Sequence, residues 1–276
     1  MANSILIEGH EGSIIVDTLE SVAAARAAKQ ALIQYSTKPV KAIIYTHNHA
    51  DHVAGTSSNT SQLSLTLVRT GLIGAQEFVP SNESLSTIHV YSHASTLTLL
   101  DQTQAVTGPI TYKRAMRQFG VYLRGTDHVN SGIGPKLLHG NGGLDGLIRP
   151  NKVFEGKVLE VEIEGVHMQL IHAPGETDDQ IVVWLPKDRV LLAADNFYKV
   201  FYLKRIDKSW VFPLAYIAIL SPPPPKQITI QCFPNLYAIR GTPHRDTMQW
   251  VQSIDEMRAL QPGFMKPLPH SSPITM

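Results

Sequence analysis

Three imidazoles and a carboxylate fall within six residues at His47-Asn48-His49-Ala50-Asp51-His52. Neutral imidazole and carboxylate are donors that suit zinc and similar first-row ions. On a tight loop His47 and His49 can turn to one side and converge on one ion. Asp51 and His52 can then serve a second ion a few ångströms away. Two ions about 3.5–4 Å apart form a clamp that can share a hydroxide. A bound metal lowers the pKa of water far enough for attack at neutral pH. The motif therefore predicts a dinuclear hydrolytic centre with nitrogen and oxygen ligands. A thiolate cluster is excluded, because Cys232 is the single cysteine in 276 residues.

Such a centre needs strand ends to hold it. Ser4 to Gly9 and Ser13 to Asp17 (SIIVD) read as short strands, and Ser21 to Tyr35 as a helix rich in strong helix formers. Val40 to Tyr45 (VKAIIY) reads as a buried strand that runs straight into THNHADH. Thr56 to Ser86 is Ser/Thr-rich and poorly patterned, and is expected to be a long surface excursion. Ile88 to Tyr91 predicts a strand, Ser92 to Gln104 and Ile110 to Phe119 helices, and the Gly-rich 125–146 a loop. Five strands follow, at 152–154, 158–163, 168–172, 181–185 and 190–193, with Gly, Pro or Asp marking the turns between them. Trp250 to Leu260 predicts a last helix. Two halves of this kind suit sheets packed face to face with helices outside, one of several architectures that fit.

THNHADH matches the HxHxDH signature, and on it the chain is identified as resembling the metallo-β-lactamase superfamily. The resemblance implies an α/β (α+β) fold, the αββα four-layer sandwich, with two zinc ions at loops along one edge. His172-Ala-Pro-Gly-Glu176-Thr stands where many members carry a Pro-Gly-His-Thr ligand loop. A glutamate there is similar to the alkylsulfatase branch; Asp178 and Asp179 are weaker rivals for that role. Val190 to Asn196 (VLLAADN) ends in Asp195, where the superfamily places its bridging acid and alkylsulfatases read Ala-Glu-Asn. His270, in Leu268-Pro-His-Ser-Ser-Pro-Ile, resembles the loop supplying the last histidine. The implied ligand set is His47, His49 and Glu176 on one ion, Asp51, His52 and His270 on the other, with Asp195 bridging.

SIIVDTLES, TYKRAMRQFG, SGIGPKLLHG and NLYAIRG with Arg245-Asp246 also resemble alkylsulfatases, in co-linear order. The resemblance implies hydrolysis of linear primary alkyl sulfate esters of the dodecyl sulfate type, small amphiphilic substrates. Asn235, Arg240 and Arg245 are then expected to hold the sulfate, Arg240 and Arg245 through bidentate contacts. Asp51, Tyr237 and His244 are the expected catalytic residues, one of the polar donors orienting or protonating the leaving oxygen. Hydrolysis of another ester, thioester or lactone, and an inactive metal-binding isoform, are the alternatives.

The chain also departs from that branch. Family members are homodimers with dimerisation and sterol-carrier-like domains beyond the catalytic one. The six residues after His270 have no room for these, and the N-terminal segment reads as shortened. Residues 1–276 are thus expected to be one catalytic domain. FYLKRIDKSWVFPLAYIAILSPPPPKQITIQC, at 201–232, reads as an in-frame insertion, because Val200 joined to Phe233 restores a smoother sequence.

Bulk properties narrow the rest. A charged fraction of 17% and a net charge of +1 offer no case for nucleic acid or an anionic membrane surface. The start lacks a signal-peptide pattern, and no apolar run reaches the 18 residues of a spanning helix. A soluble protein of open localisation is expected.

Overall fold

Alternation along the strands sets the layering. In β2 (Ser13–Val16) Ile14 and Val16 enter one buried cluster and Ile15 another. In β3 (Val40–Ile44) Ala42 and Ile44 take the first side and Ile43 the second. In β8 (Ile181–Leu185) Ile181, Val183 and Leu185 face inward while Val182 and Trp184 face outward. Side chains of period two on a strand apolar on both faces require cover on both sides.

The structure, a computed structural model, describes residues 2–20, 22–53, 78, 88–120, 122–124, 127, 147–201, 229–232, 236, 238 and 240–266. β1 (Ile5–Glu8), β2, β3, β4 (His89–His93) and β5 (Lys152–Phe154) form one sheet in that order. β1 and β2 are antiparallel; β2 to β5 are parallel. The second sheet has the order β12 (Phe264–Lys266), β9 (Val190–Leu192), β8, β7 (Val166–His172) and β6 (Val158–Ile163). It is antiparallel except for the β12–β9 pair.

The central core lies between the sheets, with Ile14, Ile44 and Tyr91 from the first and Met168, Leu170 and Val183 from the second. α1 (Val22–Leu32) lays Ala25, Ala28 and Leu32 on the outer face of the first sheet. α3 (Ala94–Gln102) adds Leu100 there and continues through a π-helical turn, Thr103–Thr107, into α4 (Gly108–Gln118). α5 (Thr247–Ala259) covers the outer face of the second sheet through Met257 and Ile254. Asp246 caps α5 by accepting from the N–H groups of Met248 and Gln249 at 2.8 and 3.1 Å. The layers are therefore helix, sheet, sheet, helix, the expected αββα sandwich. Among the described residues no helix is long and apolar enough to cross a membrane.

Several expectations are corrected. The helix at 21–35 stops at Leu32, followed by a turn. The last helix starts at Thr247, where the Asp246 cap opens it. α2 (Ala50–Val53) closes the histidine motif with a helical turn where the sequence predicts a loop. Phe78, inside the expected surface excursion, is only 2% exposed and joins the core cluster that also holds Ala25, Ala28 and Leu32 of α1, so that residue is packed. β10 (Tyr198–Phe201) and β11 (Thr229–Cys232) pair antiparallel, Val200 with Ile230, and hold the ends of the 201–232 segment side by side. The rest of that segment, most of 125–146, and Asn235, Tyr237 and His270 lie outside the described residues.

Candidate metal centre

β2 and β3 are parallel neighbours, so the residues following each emerge at the same rim. Asp17 follows β2 with φ 58, and its carboxylate turns toward the β3 exit. Its Oδ1 accepts from Thr46 N at 2.8 Å, and its Oδ2 accepts from Thr46 Oγ1 at 2.8 Å. The same Oδ2 lies 2.7 Å from Nδ1 of His52. These contacts assign the histidine tautomers. The one hydroxyl proton of Thr46 goes to Asp17, so its oxygen accepts from Nδ1–H of His47 at 3.0 Å. His47 and His52 are thereby left with Nε2 pointing into the cluster, as metal-binding imidazoles require.

The cluster gathers six of the seven expected ligands. Nε2 of His47 lies 3.0 Å from Nδ1 of His49. Nδ1 of His49 is 4.0 Å from Oε1 of Glu176. Oδ2 of Asp195 sits between two imidazoles, 4.0 Å from His47 Nε2 and 3.3 Å from His52 Nε2. Asp51 Oδ2 is 3.8 Å from His52 Nε2. One donor atom each from His47, His49 and Asp195 lie within 4.8 Å of one another. Nε2 of His52 is buried and has no hydrogen-bond partner among the described residues. A buried imidazole nitrogen facing a carboxylate, beside two more imidazoles, is a donor set that fits a divalent cation once its proton leaves.

Electrostatics in the metal-free chain agree with that fit. Burial pushes His47 down to about 3, helped by the charge of His52. Burial, with His47 and Arg240 nearby, also holds His49 well below 6.5. For His52 burial opposes the charged form, but Asp195, Asp17 and Asp51 together outweigh it and hold the imidazole well above 6.5. Several carboxylates around one imidazole leave room for a stronger cation than a proton.

The loop carrying Glu176 is fixed by close packing. A Cβ on Gly175 would fall 1.9 Å from Asn196 Oδ1 and 2.8 Å from Trp250 Cδ1, so only glycine fits. That Oδ1 accepts from Glu176 N at 3.2 Å, and Asn196 Nδ2 donates to Ala173 O at 2.6 Å. Trp250 Nε1 on α5 donates to Asn196 O at 2.9 Å. Ala194, just before Asp195, takes φ 49, a strained backbone for a non-glycine residue.

Both arginines expected to hold substrate reach the rim. Arg240 NH2 is 3.2 Å from His49 Nε2, and the guanidinium lies 5.8 Å from the centre of the Phe119 ring. Arg245 NH1 is 3.4 Å from Glu176 Oε1. His244 is exposed. Asp178 is exposed too, and its carbonyl engages His172 Nε2 at 2.8 Å. Asp179 is buried, with its Oδ1 on Asn48, so neither rival of Glu176 joins the cluster. The residue that sequence reasoning missed is Asp17. Its one signal was an acid ending the apolar SIIVD strand, beside the strand that feeds the histidines.

Comparison with known proteins accords with this geometry. The profile of the family described as Metallo-beta-lactamase superfamily matches residues 1–58 and 87–270. A linear primary-alkylsulfatase of Pseudomonas sp. (strain ATCC 19151) is 32% identical over 272 residues, 98% of this chain and 41% of that protein. An alkyl/aryl-sulfatase of Saccharomyces cerevisiae is 26% identical over 262 residues, 94% of this chain and 32% of that protein. The solved stereoselective inverting sec-alkylsulfatase of Pseudomonas sp. matches with a TM-score of 0.62 at 23% identity, covering 91% of this chain and 32% of that one. The chain thus spans less than half the length of these relatives.

Proposed function

Because the chain belongs to the metallo-β-lactamase superfamily, we propose that it holds two zinc ions and hydrolyses linear primary alkyl sulfate esters of the dodecyl sulfate type. The observation that carries this reading is the convergence of His47, His49, Asp51, His52, Glu176 and Asp195 on one rim with Arg240 and Arg245 beside them. The similarity to alkylsulfatases supports the choice of substrate.

His47, His49 and Glu176 would hold one ion, and Asp51, His52 and His270 the other, with Asp195 between them. Zinc in such a site supplies Lewis acidity and brings the pKa of water near neutrality. The chain's own residues do the rest. A sulfate ester is a monoanion, and Arg240 and Arg245 offer guanidinium donors suited to its oxygens. Each now touches a proposed ligand, so substrate binding turns part of each guanidinium away from His49 or Glu176. Asn235 completes the sulfate contacts in this proposal. Asp51, Tyr237 and His244 handle the proton that the departing alkoxide needs.

Zinc content and inorganic sulfate release from dodecyl sulfate, measured on one sample, test the proposal. Two zinc ions per chain with sulfate release are expected, and His49→Ala should lose most metal and all turnover. Zinc uptake with thioester or lactone cleavage and no sulfate release would refute the substrate assignment. Full zinc content in His49→Ala would refute the site.

A further inference from the structure

The peptide Asp179-Gln180-Ile181, leading into β8, contacts the segments that carry the proposed ligands. Ile181 N donates to Thr46 O at 2.8 Å, at the root of the histidine loop. Gln180, in the amide orientation that lets both its ends bond, accepts from Asn196 N at 2.7 Å, next to Asp195. Gln180 O accepts from Ala173 N at 2.8 Å, at the start of the loop carrying Glu176. Asp179 Oδ1 accepts from Asn48 Nδ2 at 2.8 Å, and Asn48 is the residue between His47 and His49.

We propose that Asp179 is a positioning residue for the metal loop: its buried carboxylate grips Asn48 and so fixes where His47 and His49 stand relative to each other. This rests on the metal-centre reading but not on the choice of substrate. The carboxylate is fully buried, faces the side chains of Thr177 and Thr96 as well as Asn48, and has no ion pair with a basic side chain among the described residues. Burial of an acid without such a partner is unfavourable, and an apolar side chain would pack there at lower cost. A ligand role does not account for it, because none of the contacts that tie the donor cluster together among the described residues involves Asp179, whose Oδ1 is held by Asn48. A structural role confined to β8 does not account for it either, because the bond leaves the second half of the chain and ends inside the motif. Root and tip of the loop are then held separately. Asp17 and Ile181 pin Thr46, and Asp179 pins Asn48 one residue before the less buried His49.

Zinc affinity of the full chain, by competition with a chromophoric chelator, tests the assignment, with thermal unfolding of the metal-free chain alongside. Asp179→Ala and Asn48→Ala should each weaken zinc binding about 10- to 100-fold, the range for partners that orient metal ligands. The double variant should be no weaker than Asp179→Ala, because the bond to Asn48 is already lost there. Asp179→Asn should restore most of the affinity, since an amide oxygen accepts the same N–H. If Asp179→Ala does not fold, Asn48→Ala and Asp179→Asn decide the matter. Wild-type affinity in a folded Asn48→Ala, losses that multiply in the double variant, or no rescue by Asp179→Asn would each overturn the proposal. A wild-type chain that takes up no zinc would instead overturn the metal-centre reading on which it stands.

Discussion

Replacing Asp17 by asparagine should damage metal binding more than folding, and the reason lies in proton placement. The carboxylate now accepts three hydrogen bonds: from Thr46 N, from Thr46 Oγ1 and from Nδ1–H of His52. An asparagine of the same shape keeps one acceptor oxygen. The backbone N–H of Thr46 cannot change its role, so it retains that oxygen. The amide N–H2 then faces Thr46 Oγ1 and His52 Nδ1. His52 must accept there, which leaves its one remaining proton on Nε2, the atom aimed at Asp195. Zinc binding then has to reverse the tautomer and lose the charge-assisted bond, which contributes about 1.5–3 kcal/mol. At about 1.4 kcal/mol per factor of ten, that corresponds to roughly 10- to 100-fold weaker binding of the ion held by His52. Asp17→Ala should behave differently. It leaves three buried donors unsatisfied at about 1–3 kcal/mol each, so it destabilises the fold itself by about 3 kcal/mol or more. Stepwise zinc titration and thermal unfolding, run on both variants, separate the two effects. If Asp17→Asn binds its second zinc with wild-type affinity, the tautomer argument is wrong.

Two further outcomes follow from the same rim. Gly175→Ala places a methyl carbon against Asn196 and Trp250, so it should cost about 1–3 kcal/mol by overpacking and lower Tm by about 2–4 °C per kcal/mol. A melting curve unchanged from wild type would show that the loop yields. The metal-free chain should also respond to pH through His52, whose folded pKa stands well above its ordinary 6.5. A raised folded value contributes stability that is complete below the unfolded pKa and is lost as pH rises through the folded one. Zinc competes with that same proton, so its affinity should climb over the rise in which the metal-free chain loses stability. Thermal melts and zinc affinities measured from pH 6 to 9 check both slopes, and a zinc affinity flat across that range would contradict the role given to His52.

Side-chain chemistry and local apolar patterning were legible without any coordinates. Three histidines and an acid after the apolar strand VKAII announced a metal loop, and short apolar runs bounded by turn residues located most strands of both sheets. Glu176 and Asp195 were found through resemblance, and the structure brings both to the histidine rim. Other features depended on pairings that local sequence does not encode. Asp17 is an ordinary acid until parallel pairing of β2 with β3 sets it beside Thr46 and His52. Asp179 read as a rival ligand until the second sheet, packed on the first, carried it to Asn48. Phe78 sits in a Ser/Thr-rich, poorly patterned stretch, yet it joins the buried cluster on the outer face of the first sheet. Arg240 and Arg245 could as well have been surface charge, and docking against α4 and the Glu176 loop brings them to the rim. The physical reason is range. Identity and apolar patterning act over a few residues, whereas the contacts that give these groups their roles join segments far apart in the chain, and those contacts exist only once the two sheets have closed on one core.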